Sequence, residues 1–367
     1  MDTRRRSLLT TLGLSAALLP LAGLPKPPPA ASRRLGLAMV GLGRYATDQV
    51  AVGLEGSAYW DLRGIVTGTP SKVPAWQARW GIPDRNVFDY AGFDAIAARP
   101  DIDAVYICLP NSMHAEFAIR AARAGKHVIV EKPMAVSVDE ARRMVRACED
   151  AGVKLAVGYR LHFNHHHRQV MQWGRERTHG RVRYINAVFT INVGEPGQWR
   201  LRRALSGGGS LMDVGIYCVQ AARYATGEEP VAVTAQFAPV SDAAKFAEVE
   251  DGISWQMTFP GGAYMTGYSG YHTYVDQLYV AAEDKSYKIE PAFSYGPLQG
   301  EIREQPGGRM DFPHEHHQRA QMEALGALFI DPRPLPAHIS GAEGLQDVRI
   351  LMAIYEAART GGTVRIG

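Results

Sequence analysis

Cysteine is scarce. Cys108, Cys148 and Cys218 are the three in a chain of 367 residues, and no two form a CxxC pair. That excludes a disulfide framework and a thiolate zinc site. Cys108 lies in an apolar run and Cys218 in a helical pattern, the positions of small buried hydrophobes. Charge of one sign is scarce too. The formal charge is +3, and within the first 31 residues Arg4, Arg5, Arg6 and Lys26 face only Asp2, so the remaining body is near neutral. Nothing in that balance asks for a nucleic-acid partner. Beyond residue 31 no apolar run is long enough to span a bilayer.

The chain opens on a different composition. Arg5 and Arg6 precede an apolar run from Leu8 to Leu24, with small residues at Ala22-Gly23 and Ala30-Ala31. This is an export-signal layout, and the paired arginines favour the twin-arginine route to the periplasm. Thr10, Thr11, Gly13, Ser15, Pro20 and Gly23 interrupt the run and weaken it as a membrane span. An ordinary secretory signal and a membrane anchor are the alternatives. The stretch PKPPPAAS, Pro25 to Ser32, is a stiff extended linker. Residues 1–31 are therefore expected to be signal and linker, with no membrane contact in the mature form.

Next, apolar runs alternate with helical patterns. LGLAMVG, WDLRGIVTG, IDAVYICLP, HVIVEKP and KLAVGYR read as buried strands. ATDQVAVGLEG, AEFAIRAARAGK and VDEARRMVRACEDAG read as the helices between them. Such alternation predicts an α/β domain over 32–157, a doubly wound parallel sheet covered on both faces. After Tyr159 the rhythm changes. RVRYINAVFTINV, VAVTAQFAPV, DGISWQMTFP and AYMTGYSGYHTYV are longer strand candidates, and the turn at Pro260-Gly261-Gly262 marks a hairpin. Helices are expected through GSLMDVGIYCVQAARYATG and AEGLQDVRILMAIYEAARTGG. Residues 158–367 thus predict an α+β domain with a large, mostly antiparallel open sheet.

Five stretches carry chemistry. Gly41-Leu42-Gly43-Arg44-Tyr45-Ala46 follows the first strand and opens a helix, as a dinucleotide-binding turn does; a tight turn without ligand looks the same. The second strand ends in IVTGTPSK, with no acid for the ribose hydroxyls. Thr67, Thr69, Ser71 and Lys72 instead suit a 2′-phosphate, unless they are an ordinary polar turn. Asn111, Ser112 and His114 lie past another strand's C-terminal end, where open α/β sheets bind ligands. Glu131-Lys132-Pro133 ends a further strand. In the last stretch Asp213 and Tyr217 are four apart, hence on one helical face, and Gly207-Gly208-Gly209 before them allow close approach of backbone to a ligand. An acid and a phenol so placed suit proton transfer to or from a hydroxyl. A capping acid and a core tyrosine fit the same spacing.

Together, VGLGRYA, IDAVYICLPNSMHAEFAIRAARAGKHVIVEKPMA, WRLRRALSGGGSLMDVGIY, GEEP and the ending GLQDVRI resemble the Gfo/Idh/MocA oxidoreductases, and among them the glucose–fructose and aldose-oxidising branch. The resemblance implies Lys132, Asp213 and Tyr217 as the catalytic set, with Tyr217 accepting and returning the proton. It implies that Gly41, Gly43, Arg44, Tyr45, Thr67, Lys72, Leu109, Asn111, His114, Glu131, Lys132, Arg160, Trp199 and Arg200 line NADP(H). Tyr159, His162 and Arg202 would face a small-molecule sugar. Where that branch carries a long N-terminal arm over the dinucleotide, about ten residues separate leader and first strand here. A homodimer is the expected assembly, with a tetramer left open.

An exported enzyme has no pool of free dinucleotide to draw on. The cofactor is therefore expected to stay bound and be recharged in place, one sugar oxidised to an aldonolactone and a second reduced to an alditol in ping-pong order. The alternative within the same superfamily is an exported NAD-dependent glycoside hydrolase, a branch that typically replaces the lysine kept here as Lys132. His165-His166-His167 and the crowded His314, His316 and His317 lack the i, i+4 spacing of a metal pair, so no metal is expected.

Overall fold

The computed structural model describes residues 33–303 and 307–367. The export signal and linker expected over 1–31 lie outside the described residues. Strands β1 (Leu35–Val40), β2 (Trp60–Val66), β3 (Val87–Phe88), β4 (Ala104–Ile107), β5 (His127–Val130) and β6 (Leu155–Val157) form one sheet in the order β3-β2-β1-β4-β5-β6. Every pairing in it is parallel. This is the doubly wound order of dinucleotide-binding domains. The unbroken apolar runs have a plain cause. Successive side chains alternate faces, and both faces are covered. From β1, Leu37 and Met39 join one apolar cluster while Ala38 and Val40 join another.

The connecting helices are α1 (Ala51–Leu54), entered through a π-helical turn at Ala46–Val50, then α2 (Val73–Trp80), α3 (His114–Arg123) and α4 (Val138–Asp150). The α4 start illustrates their local logic. Ser137 Oγ accepts from the Glu140 amide at 3.2 Å, and Asp139 and Glu140 occupy the first turn.

Beyond α5 (His165–Glu176) the second sheet begins. Its strands are β7 (Val182–Asn192), β8 (Ala232–Phe237), β9 (Gly252–Thr258), β10 (Tyr264–Gly270), β11 (His272–Ala282), β12 (Ser286–Ile289), β13 (Gly300–Ile302), β14 (Arg309–Met310) and β15 (Val364–Arg365). They run in the order β14-β13-β12-β11-β7-β10-β9-β8-β15, antiparallel except for β7 with β10. The stretch expected as one strand from Ala263 to Val275 is two. Tyr271 divides it, donating its amide to Asp251 and accepting from Val193, and the halves flank β7 on opposite sides. The inner sheet face packs Ile185, Phe189, Trp255, Met257, Leu278 and Val280 against α7 (Ile216–Thr226), which follows the short α6 (Arg203–Ser206).

The last two helices, α8 (His317–Ile330) and α9 (Gly341–Thr360), return across the molecule. Met322, Leu325 and Phe329 of α8 are buried against Met39, Trp60 and Leu62 of the parallel sheet, and the Trp60 indole donates to the Met322 carbonyl at 2.7 Å. Burying such side chains contributes about 1.5–3 kcal/mol each. Val348 of α9 enters the cluster on the other face of that sheet. The chain beyond 158 therefore supplies both the second layer and part of the first layer's core. That return fixes the two walls of the crevice between them. Among the described residues no helix is long and apolar enough to cross a membrane.

Candidate active site

The C-terminal ends of β1, β2, β4, β5 and β6 open onto one crevice. At its floor Gly41 has φ +94°, and a Cβ there would sit 2.6 Å from the Cys108 carbonyl oxygen and 2.9 Å from the Leu109 side chain. Only glycine fits this left-handed, crowded turn. Over Gly43 the opposite holds: an added Cβ meets nothing within 4 Å. The loop backbone therefore faces open space where helix-opening amides receive a pyrophosphate. Ala46 is fully buried against the sheet, and Arg44 points into solvent. Lys72 Nζ donates to the Leu42 carbonyl at 2.8 Å, setting a cation on the rim of the loop. Thr67 is buried at the end of β2, its hydroxyl accepting from the Thr69 amide at 3.1 Å. The crevice fits an NAD(P)-type dinucleotide, whose pyrophosphate Gly41–Tyr45 would receive and whose ribose end Thr67 and Lys72 would meet.

The three residues of the expected catalytic set meet at the other end. Lys132 Nζ donates to the Asp213 carbonyl at 2.6 Å, lies 3.5 Å from its carboxylate Oδ1, and stands 4.7 Å from the centre of the Tyr217 ring. The Arg160 guanidinium lies 4.9 Å from the same ring centre, and its Nε donates to the Tyr217 hydroxyl at 3.3 Å. Asp213 Oδ2 takes Arg200 Nε at 3.0 Å and the Tyr271 hydroxyl at 3.1 Å. Burial pushes the Asp213 carboxyl up, but Arg200 and then Lys132 outweigh it and hold its pKa below the ordinary value. Arg200 also covers Trp199 at 4.7 Å. A phenol bordered by two cations, in a crevice that fits a dinucleotide, can exchange a proton with a substrate hydroxyl.

Other expected site residues sit behind this surface. His114 is fully buried, Nδ1 on the Pro133 carbonyl and Nε2 on the Leu109 carbonyl, each at 2.9 Å. Burial drives its pKa down to about 4. It staples the Lys132-Pro133 turn to the β4 exit and does not line the crevice. Glu131 is likewise buried, accepting from the Tyr106 hydroxyl at 2.6 Å and the Lys132 amide at 3.2 Å. Tyr159 and His162 do not face a substrate. Tyr159 donates to Asp347 Oδ2 at 2.6 Å, and His162 Nδ1 lies on the His338 carbonyl at 2.8 Å. Arg202 is exposed ahead of α6. Asn111 reaches across, donating to the Ser206 carbonyl at 2.8 Å. The triglycine does not make room for a ligand. Added Cβ atoms would meet Val136 at 2.6 Å from Gly207, the Tyr355 hydroxyl at 2.1 Å from Gly208 and the Glu250 carbonyl at 2.1 Å from Gly209.

Several residues at the site went unforeseen. Glu250 accepts the Gly209 and Leu211 amides at 2.9 and 3.0 Å and so anchors the segment that carries Asp213. Tyr271 completes the Asp213 shell, and Tyr295 lies over Arg160. Tyr106 had a visible signal: a phenol inside a two-sided apolar strand needs a buried partner. The histidines of each cluster diverge. His165 lies 3.5 Å from Glu315, His167 Nε2 is on the Ala292 carbonyl at 2.7 Å, His316 Nδ1 accepts the Arg319 amide at 3.2 Å, and His317 Nδ1 accepts from Arg160 at 2.8 Å.

Fold and crevice define a dinucleotide-dependent oxidoreductase with a Rossmann domain and an open-sheet partner domain. Residues 35–159 match the oxidoreductase family with NAD-binding Rossmann fold, GFO/IDH/MocA, and residues 167–289 match the GFO/IDH/MocA C-terminal domain. The chain belongs to the Gfo/Idh/MocA family. An aldose-aldose oxidoreductase from Caulobacter crescentus, solved with glycerol, superposes with a TM-score of 0.84 at 40% identity, covering 91% of this chain and 100% of that one. D-xylose 1-dehydrogenase (NADP(+)) 2 of Haloferax volcanii is 31% identical over 308 residues, covering 82% of this chain and 91% of that protein. The NADP(+) D-xylose 1-dehydrogenase of Haloarcula marismortui is 28% identical over 338 residues, covering 90% and 92%.

Proposed function

We propose that this chain is a periplasmic sugar oxidoreductase that keeps NADP(H) in its crevice. It oxidises an aldose at C1 to an aldonolactone and reduces a second sugar to an alditol, in ping-pong order. The observation that carries the reading is the Tyr217 hydroxyl, 3.3 Å from Arg160 Nε beneath a lysine 4.7 Å from its ring centre. The likeness to an aldose-aldose oxidoreductase at 40% identity over 91% of the chain supports the substrate class. NADP is supported by the carboxylate-free stretch Val66–Lys72 and by two NADP(+) relatives. Export is supported by the Arg5-Arg6 leader, and a nucleotide that stays bound is what an exported enzyme requires.

A bound nicotinamide dinucleotide supplies the acceptor, and after reduction the donor, of a hydride. The protein's residues supply the rest. Tyr217 takes the proton of the anomeric hydroxyl. Lys132 and Arg160 place positive charge beside the phenolate as it develops. Asp213 seats Lys132 through its carbonyl and carboxylate and is itself held by Arg200 and Tyr271. When the second sugar's carbonyl oxygen occupies the same position, Tyr217 returns the proton. The retained Lys132 favours this reading over the glycosidase.

The test uses protein isolated from the periplasm without added nucleotide. Its near-ultraviolet spectrum should show a bound nicotinamide that an aldose reduces and a second sugar reoxidises. Protein that emerges empty, or works only with a steady supply of soluble NADP, overturns the closed cycle. Cleavage of a nitrophenyl glycoside in place of glucose–fructose turnover selects the hydrolase.

A further inference from the structure

One exposed aromatic side chain stands in the crevice without a role in proton transfer. The segment Ala292–Tyr295 is clamped from two sides. From β11, the Asp276 carboxylate accepts the amides of Ala292, Phe293 and Ser294 at 2.8, 2.6 and 3.0 Å. From the crevice wall, Arg160 donates to the carbonyls of Phe293 and, at 3.3 Å, Ser294. Phe293 is fully buried and stacks with Tyr217, ring centres 6.3 Å apart. Backbone and neighbour are thus immobilised, and the next side chain, Tyr295, is left 47% exposed.

Its position is specific. The ring lies 4.5 Å over the guanidinium of Arg160, the group that also touches the Tyr217 hydroxyl, and 6.3 Å from the ring of Tyr45 in the glycine-rich loop. Tyr295 is exposed on one side, while burial and then the neighbouring Tyr217 raise the pKa of its hydroxyl. A half-exposed ring set between Arg160 and Tyr45 belongs to the wall of a cleft. A rigid aromatic surface in a wet cleft is how a protein grips a ligand with one apolar and one polar face.

We infer that Tyr295 is the specificity platform for the sugar, its solvent-open surface taking the C–H face of an aldopyranose whose anomeric hydroxyl then meets Tyr217. The inference rests on the sugar oxidoreductase reading and adds a selectivity to it. Cyclic aldoses gain from the ring, and short acyclic carbonyl compounds do not.

Steady-state kinetics of the nucleotide-loaded protein test it, with glucose as the cyclic substrate and glyceraldehyde as the acyclic one. Tyr295→Ala should raise KM for glucose about tenfold, equivalent to about 1.4 kcal/mol, with little change in kcat, in bound nucleotide or in glyceraldehyde reduction. Loss confined to KM marks binding shared by ground and transition states. Tyr295→Phe should keep the wild-type KM, because the ring and not the hydroxyl does the gripping. Tyr295→Leu keeps bulk without a ring; it should match the alanine variant and stands in for it if that variant fails to fold. An unchanged KM in Tyr295→Ala, an equal loss in Tyr295→Phe, or purification without nucleotide overturns the inference. A wild-type protein that oxidises no aldose overturns the functional reading instead.

Discussion

Arg160 Nε lies 3.3 Å from the Tyr217 hydroxyl, and the same guanidinium is bonded to His317 Nδ1 at 2.8 Å and to the Phe293 carbonyl. A buried cation with this many partners holds one direction, so it occupies one side of the phenol oxygen and leaves the other to substrate. Phenylalanine at 217 would keep the ring in the stack with Phe293 and remove only the proton carrier. Tyr217→Phe is expected to lower kcat by about 10²–10⁴-fold while nucleotide content on purification stays at the wild-type level. Single-turnover reduction of the bound nucleotide by an aldose checks this, and wild-type rates in the variant would remove Tyr217 from the proton path.

Asp213 has a different part. With its pKa held below the ordinary carboxyl value by Arg200 and Lys132, it is charged across the working range and titrates too low to set the acid limb of kcat/KM. Asp213→Asn keeps the backbone carbonyl that seats Lys132 but loses the charge between two cations. The expected outcome is a fall in kcat/KM of about ten- to a hundredfold, the scale of one charge-assisted hydrogen bond at about 1.5–3 kcal/mol, with the acid limb of the pH profile unmoved. An acid limb that disappears in the variant would make Asp213 the titrating group.

How far the sequence reveals this site depends on geometry more than on distance along the chain. The parallel sheet is legible because both faces of β1, β4 and β5 are buried, which writes unbroken apolar runs. Lys132 and Gly41 are legible because strand ends are where such sheets bind ligands. Arg160 and its neighbours are not separable by position. They lie in and beside a tight 3₁₀ turn at Arg160–Phe163, where successive side chains point about 120° apart. Arg160 therefore reaches Tyr217 while Tyr159 finds Asp347 and His162 finds the His338 carbonyl. Tyr271 and Tyr295 lie between strands, at positions whose neighbours are set by sheet register, which a single sequence does not fix. The triglycine signals a close approach, and sequence alone does not say that Tyr355 and Glu250 make it.

Lys72 offers a test of nucleotide choice. Its ammonium is fixed to the Leu42 carbonyl at 2.8 Å, beside the loop and with no carboxylate in Val66–Lys72. On the proposed NADP reading, Lys72→Ala loses a charge-assisted bond to the 2′-phosphate, at a cost of about 1.5–3 kcal/mol, or roughly ten- to a hundredfold in preference. The nucleotide released by denaturing the variant, separated by ion-exchange chromatography, should shift from NADP toward a mixture with NAD. Undiluted NADP in Lys72→Ala would assign the discrimination elsewhere.

The buried cluster behind the site makes stability depend on pH. Arg223 faces three carboxylates: Glu229 at 2.6 Å, Glu343 at 2.8 Å and Asp347 at 2.6 Å. One guanidinium does not neutralise three acids. Burial is the main cause that lifts the pKa of Glu343 from 4.5 to about 7, and Asp347 adds to it against the pull of Arg223. The sign follows. Between those two values the folded chain keeps a proton that the unfolded chain has released, so stability falls as pH rises through this window. At about 1.4 kcal/mol per unit, the decline from this one group is on the order of 3–4 kcal/mol. Glu343→Gln carries no proton to lose. Urea unfolding across the window should show a declining stability for the wild type, a flatter curve for Glu343→Gln, and a variant more stable than the wild type on the alkaline side. Parallel curves for the two proteins would mean that Glu343 is already ionised in the fold and that Arg223 carries all three charges.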